Sequence, residues 1–281
     1  TSPNSFVASA NAALFCGAEI DFVDIDPVTY NLSCEKLEEK LLNASKEDLL
    51  PKVVIPVHFG GQSCDMERIY NLSSKYNFKI IEDASHAIGS KYKNEYVGNC
   101  KYSSITVFSF HPVKIITTAE GGAATTNDPE LAQVMNRNRT HGIEKMEGNN
   151  YDLNSSEIWN YKQVSLGFNY RMNDIQAALG LSQLNRLDSF VSKRNSIARK
   201  YDEELKMLGI QLPKQMKFNQ SSFHLYPLRV STKKGGITQK DLYNYLRSNN
   251  IGVNLHYIPI YRQPYFKKLG FKKGYCEEAE Y

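Results

Sequence analysis

The first half of the chain alternates two periodicities. Short apolar runs rich in β-branched residues, bounded by Gly, Pro, Asn or Asp, predict buried strands over 19–24, 53–59, 78–82 and 104–110. Between them lie amphipathic stretches. Ser33 is placed to cap a helix carrying Leu37, Leu41 and Leu42, and Asp65 to cap one carrying Ile69, Leu72 and Tyr76. Continuous apolar strands alternating with such helices predict an α/β fold with a mostly parallel sheet sandwiched by helices. In sheets of this kind the functional groups gather at the carboxyl ends of the strands.

The second half reads differently. Over 173–208 the pattern is helical, with Ile175, Ala178, Leu181, Leu184 and Leu187 on one side, and Gly209 and Pro213 end it. A polar loop over 214–222 follows, then a strand over 223–230, a helix over 238–249 and a second strand over 251–257. The expected division is a large domain over 1–208 and a smaller C-terminal α+β domain over 209–281. The chain opens without Met and stops within 274–281, which reads as a helix start, so it is expected to be part of a longer polypeptide with both domains incomplete.

Composition narrows the function classes. With 281 residues, 41% hydrophobic and 23% charged, the chain has the make-up of a folded globular protein. The formal charge of +4 is small and scattered, which gives no footprint of a nucleic-acid binder. No apolar run approaches the ~18–20 residues of a membrane span, and no secretion signal is visible in the opening residues. The 5 cysteines lie far apart with no CxxC pair, which points away from disulfides and zinc and toward a cytoplasmic, reducing setting.

Two strand ends carry the candidate chemistry. The run Ile80-Ile81-Glu82-Asp83-Ala84-Ser85-His86 ends a buried strand in two acids and a histidine, and alone it is most simply a strand end with a helix-capping Asp. Further on, Ser109-Phe110-His111-Pro112-Val113-Lys114 ends another apolar strand in a lysine, a residue that on its own is most simply a solvated loop charge. Together they supply an amine able to bond to an aldehyde and a carboxylate able to hold a protonated ring nitrogen, which is what pyridoxal 5′-phosphate requires. The Ser109 hydroxyl is available to a phosphate.

These segments, with Pro3-Asn4-Ser5-Phe6-Val7, Gly17-Ala18-Glu19, Asp24-Ile25-Asp26 and Gly167-Phe168-Asn169-Tyr170-Arg171-Met172-Asn173, resemble in order the DegT/StrS-type sugar aminotransferases, a family within fold type I of pyridoxal-phosphate enzymes. The resemblance covers nearly the whole chain. It implies that Lys114 holds the cofactor aldehyde and moves the substrate proton, and that Asp83 pairs with the ring nitrogen. His86 would lie near the ring, Phe6 stack on it and Ser109 contact the phosphate. Asn169, with Arg171 as a second candidate, would reach the phosphate of a neighbouring subunit, so that the resemblance implies a homodimer with shared sites. It also implies a phosphate cradle upstream of Thr1.

The stretch over 252–261, after Phe223-His224-Leu225-Tyr226-Pro227, resembles the branch that carries an amino group from glutamate to C4 of a UDP-4-keto-6-deoxy-HexNAc in pseudaminic acid synthesis. His256 and Tyr257 are the implied substrate residues, near the nucleotide-sugar diphosphate, with edge packing as the plain alternative. Rival readings are a C3 aminotransferase, a sugar dehydratase of the same family, and a non-catalytic cofactor-binding homologue. The dehydratases replace the lysine with histidine, and this chain has Lys114. The remaining histidines read as structural (His58 in a turn), as packing beneath the cofactor (His111) or as unassigned (His141), and none has metal-ligand spacing. Lys233-Lys234 reads as a solvated loop pair.

Overall fold

The computed structural model describes residues 1–145, 161–230 and 237–281, so the Lys233-Lys234 pair lies outside the described residues. In chain order the helices are α1 (Ala8–Phe15), α2 (Cys34–Lys46), α3 (Met66–Tyr76), α4 (Pro129–Arg139), α5 (Asp174–Leu184), α6 (Leu187–Leu205), α7 (Gln239–Ser248), α8 (Pro264–Lys268) and α9 (Glu277–Glu280). The strands are β1 (Val53–Val54), β2 (Lys79–Asp83), β3 (Lys91–Tyr92), β4 (Glu95–Tyr96), β5 (Ile105–Ser109), β6 (Gly122–Thr125), β7 (Ile143–Lys145), β8 (Tyr161–Gln163) and β9 (Asn219–Gln220).

A sheet in the order β1-β2-β5-β6 organises the molecule, with β1, β2 and β5 parallel and β6 antiparallel. The expected strand over 53–59 is cut short because Pro56 has no N–H to donate to the ladder. Pairing resumes as a single bridge between Val57 and Asp83, where His58 N–H donates to the Asp83 carbonyl at 3.0 Å. The Asp83 N–H in turn donates to the Pro56 carbonyl at 2.9 Å. Asp83 is thus pinned in the sheet from its own backbone outward.

Helices α2 and α3 cover one face of the sheet. Leu37, Leu41, Ile69, Leu72 and Tyr76 pack with Val54, Phe78 and Ile80 in one buried cluster. Ser33 caps α2 as expected, its side chain accepting from Lys36 N–H. Two details of the sequence reading are corrected. Asp65 precedes α3 but makes no side-chain cap, because its carboxylate accepts from the Tyr92 hydroxyl at 2.7 Å instead. Leu42 is 51% exposed, since it lies a turn position beyond the buried stripe of Leu37 and Leu41.

The expected strands over 19–24, 223–230 and 251–257 form no ladder. In the first, Val23 N–H donates to the Thr1 carbonyl at 2.9 Å and the Asp24 carbonyl accepts from Ser33 N–H at 2.9 Å. The second bends at Phe223, where φ is +44°, gives Leu225 N–H to the Gly60 carbonyl at 3.1 Å, and pairs further on in a single bridge between Arg229 and Gln211. In the third, Ile251 N–H closes the end of α7 on the Leu246 carbonyl. The helical stretch over 173–208 is two helices, α5 and α6, broken at Asn185 and Arg186. Asn173 and Gln176 form a capping box on α5, and Thr238 and Asp241 form one on α7. Helix α4 has clear start signals, Asp128 as cap and Pro129 in the first turn, yet it buries no residue and so shows no apolar stripe.

The two readings of α2 and α3 predict different stabilities. Ile69→Ala, at a position fully closed to solvent, is expected to cost about 2–5 kcal/mol. Leu42→Ala is expected to stay within about 0.5 kcal/mol of the parent. Urea unfolding midpoints of the two variants check both, and a loss at Leu42 as large as at Ile69 overturns this account of the core.

Candidate active site

Strands β2 and β5 lie side by side and parallel, with Asp83 opposite Val107, so both chains leave the sheet at the same edge. Asp83 ends β2. Its Oδ1 accepts from the Ser85 N–H at 3.1 Å and from the Ser85 hydroxyl at 2.6 Å. Its Oδ2 accepts from Ser9 Oγ at 2.6 Å, and since that proton is committed, Ser5 is the donor in the Ser5–Ser9 contact of 2.8 Å. Oδ1 is saturated in this arrangement, whereas Oδ2 keeps an accepting position free.

Beyond β5 the chain folds back before β6 in a loop closed by three backbone-directed bonds. Lys114 N–H reaches the His111 carbonyl at 2.9 Å, and Thr118 N–H and the Thr117 hydroxyl both reach the Phe110 carbonyl. Helix α5 braces this loop, with Gln183 accepting from Thr117 N–H at 2.9 Å. Gly180 permits that approach, because a Cβ there would stand 2.7 Å from Thr118 Cγ2. Lys114 emerges half-buried. Burial lowers the pKa of its amine below the ordinary lysine value, and the Asp83 carboxylate opposes the shift. The amine and the carboxylate therefore share one electrostatic neighbourhood.

Three imidazoles and a phenol surround this pair. His86 is buried, and its Nδ1 accepts from Gly60 N–H at 3.3 Å, which leaves the proton on Nε2, 3.5 Å from the Tyr257 hydroxyl. The His224 ring lies 4.4 Å from the His86 ring. Burial first, then the charges of His224, Lys114 and His256, hold His86 well below the usual histidine range. His224 is pushed down to about 3, mainly by burial and then by Lys114 and Arg194. His256 is also lowered, by burial with a smaller push from Lys114 and against a backbone bond at Asn254. Tyr257 packs edge-on against Phe59 and is raised to about 12 by burial and the Asp83 charge. All four groups are neutral around neutral pH, so Asp83 and Lys114 carry the ionic chemistry of this neighbourhood.

The residues singled out from the sequence separate into two groups. Asp83, His86, Lys114, His256 and Tyr257 converge. Ser109 sits at the end of β5, its Oγ accepting from His111 N–H at 3.4 Å. Phe6 is exposed, yet its segment is the one that supplies Ser9 to Asp83. Asn169 and Arg171 lie on the exposed stretch before α5, and among the described residues no hydrogen bond or ring contact ties their side chains to Asp83 or Lys114. His111 is exposed and faces Glu120 at 3.6 Å. His58 is fully buried, accepting from Cys64 N–H at Nδ1 and donating from Nε2 to Glu82 at 2.7 Å. Burial alone would raise Glu82, but the bonds from His58, Ser103 and Thr106 outweigh it and hold the carboxyl below its usual range.

Sequence reasoning missed Ser9, Ser85 and His224. Ser85 had a signal, since a serine two residues after an aspartate is a ready Asx-turn partner. Ser9 had none, because its partner lies far away in the chain, and His224 stood within the 223–227 run of the branch resemblance without a role of its own.

The residues fit a pyridoxal-phosphate group: a desolvated lysine amine, a carboxylate with one oxygen still able to accept, and neutral imidazoles beside both. Known proteins agree. The transaminase of Campylobacter jejuni named for UDP-4-amino-4,6-dideoxy-N-acetyl-β-L-altrosamine is 40% identical over 270 residues, covering 96% of this chain and 67% of its own. The Helicobacter pylori structure of PseC, described as an aminotransferase involved in the biosynthesis of pseudoaminic acid, superposes with a TM-score of 0.86 at 34% identity, over 99% of this chain and 70% of that one. A Streptococcus pneumoniae sugar aminotransferase described as putative, Spr1654 in its PLP-form, superposes with a TM-score of 0.83 at 28% identity, over 99% and 71%. The DegT/DnrJ/EryC1/StrS aminotransferase family matches residues 1–281, and with a sequence match of that extent and a strand-end lysine facing a strand-end aspartate, the chain belongs to this family.

Proposed function

We propose that this sugar aminotransferase carries an amino group from glutamate to C4 of a UDP-4-keto-6-deoxy-HexNAc. The observation that carries the chemistry is the half-buried Lys114 amine within electrostatic reach of Asp83 at the ends of adjoining parallel strands. The name of the Campylobacter relative supports the sugar and its C4 position, and that of the Helicobacter relative supports an aminotransferase of pseudaminic acid synthesis.

Pyridoxal 5′-phosphate supplies an aldehyde that accepts amines and a ring that draws electrons from the bonded carbon. Lys114 is the residue to hold that aldehyde. Because burial disfavours its ammonium form, Nζ can stand neutral and take a proton from a substrate carbon, then return it. Asp83 Oδ2 holds the ring N–H, while Ser9 and Ser85 keep the carboxylate from turning away. His86 donates from Nε2. Phe6, Ser109, Asn169 and Arg171 take the ring face and phosphate as the family resemblance implies, and His256 and Tyr257 face the nucleotide sugar.

Asn169 and Arg171 serve the site of a second copy. Around them Leu166, Tyr170 and Ile175 are 88%, 73% and 84% exposed, an apolar surface that a second copy would cover. The division we propose, a larger domain over 1–208 and a smaller one over 209–281, is supported by Gly209, which turns the chain at φ +67°. Among the described residues no helix is long and apolar enough to cross a membrane. The buried thiols of Cys34, Cys64, Cys100 and Cys276 are free, which suits the cytoplasm.

Three outcomes are expected. Lys114→Ala abolishes formation of 2-oxoglutarate from glutamate, and Asp83→Ala leaves a buried ring charge unpaired at a cost of about 3–5 kcal/mol, or about 10²–10⁴ in rate; near-parental turnover in either variant refutes the assignment. In the cofactor-free protein, Lys114 is labelled by an amine-reactive ester at a lower pH than exposed Lys36, whose amine is raised by Glu39; equal labelling profiles, read by peptide mass spectrometry, remove the desolvated amine from the argument. Mixing Lys114→Ala with an Asn169→Ala/Arg171→Ala double variant, each weak alone, restores about a quarter of parental activity if each site draws on two chains. No recovery in re-equilibrated mixtures excludes shared sites.

A further inference from the structure

His224 is tightly held, but one of its ring atoms finds no partner among the described residues. Arg194 donates to the Phe223 carbonyl at 2.9 Å and to the His224 carbonyl at 3.4 Å. Ser222 donates from its N–H to the Gly61 carbonyl at 3.2 Å and from Oγ to the His86 carbonyl at 3.1 Å. Gly61, at φ +104°, admits this close approach, since a Cβ there would stand 2.7 Å from Ser222 Oγ. Phe223 adopts a left-handed φ of +44°, a conformation that a bulky residue accepts only under constraint. The effect of the bend is to set the His224 ring on the His86 ring, beside Lys114 and His256. Its Nδ1 is closed off from solvent and bonded to nothing among the described residues. Buried polar atoms are nearly always paired, so an orphan delivered to a catalytic neighbourhood by strained backbone marks a place for a ligand atom.

The class of that atom follows from the charge state. An imidazole with a pKa of about 3 is neutral at working pH, so it has no charge to offer a carboxylate. A hydroxyl both donates and accepts, and therefore satisfies Nδ1 in either tautomer. Glutamate brings only carboxylates and an amine, whereas a sugar brings hydroxyls. We propose that His224 Nδ1 binds a hydroxyl of the sugar and so serves as a specificity residue that favours the sugar over the amino acid. This rests on the proposed function above.

The test uses equilibrium binding to the cofactor-free protein, with a UDP-linked 4-amino-4,6-dideoxy-HexNAc and UDP alone as probes, in parent, His224→Phe and His224→Asn. The asparagine places an amide near the position of Nδ1. His224→Phe is expected to raise the Kd for the amino sugar about tenfold or more while leaving that for UDP within about twofold, and His224→Asn is expected to recover most of the loss. An unchanged amino-sugar Kd in His224→Phe overturns the inference. An equal loss for both probes, or no recovery with asparagine, also overturns it, because it assigns the residue to packing. A parent protein that binds UDP but not the amino sugar removes the sugar assignment itself, and this inference with it.

Discussion

The site depends on one constraint, the parallel pairing of β2 with β5. Parallel neighbours finish at the same sheet edge, so a carboxylate ending one and an amine following the other meet without any long excursion of the chain. The pairing also makes the chemistry directional. Asp83 is fixed by backbone bonds to Pro56, His58 and, through Ala84, Val107, and its two oxygens are held by Ser9 and Ser85. Among the described residues Lys114 has no such hydrogen-bonded anchor on its side chain, and its loop is braced instead through Thr117 and Thr118. A fixed anion and a desolvated amine are the two halves that an aldehyde-bearing cofactor requires.

The surroundings tune this pair by staying neutral. Three histidines beside a lysine would be an unfavourable concentration of positive charge if any protonated, and burial prevents it. The turn at Gly60 does more than fill space. By donating to His86 Nδ1 it selects the tautomer and leaves Nε2–H facing the Tyr257 hydroxyl. The C-terminal residues contribute directly here, since Tyr257 reaches His86 and Phe59, while Asp24 accepts from the N–H groups of Glu278 and Ala279 and secures the end of the described chain against its first residues.

Much of this was legible in the residue order. The strand cores over 78–82 and 104–110, the Ser33 cap, and the Asp83 and Lys114 positions after them are local patterns. A cap acts within one helical turn, and a buried strand declares itself by its own apolar run. The motif order carried the family. Where local patterning had less to say, the reading went astray: the apolar runs over 223–230 and 251–257 look like strands but find no ladder partner, because a strand is a property of two segments and not of one.

What the sequence by itself determined, then, is the strands that end at Asp83 and before Lys114, the amphipathic helices α2 and α3 that pack on them, and the family. Only the tertiary structure decided which serines hold Asp83, that His224 rather than His111 stands beside His86, and that Asp65 serves Tyr92 instead of its own helix. The physical reason is common to all three. Hydrogen bonds and desolvation depend on groups distant in the chain arriving at one place, and neither composition nor periodicity records a distance between residues such as Ser9 and Asp83 or His86 and His224.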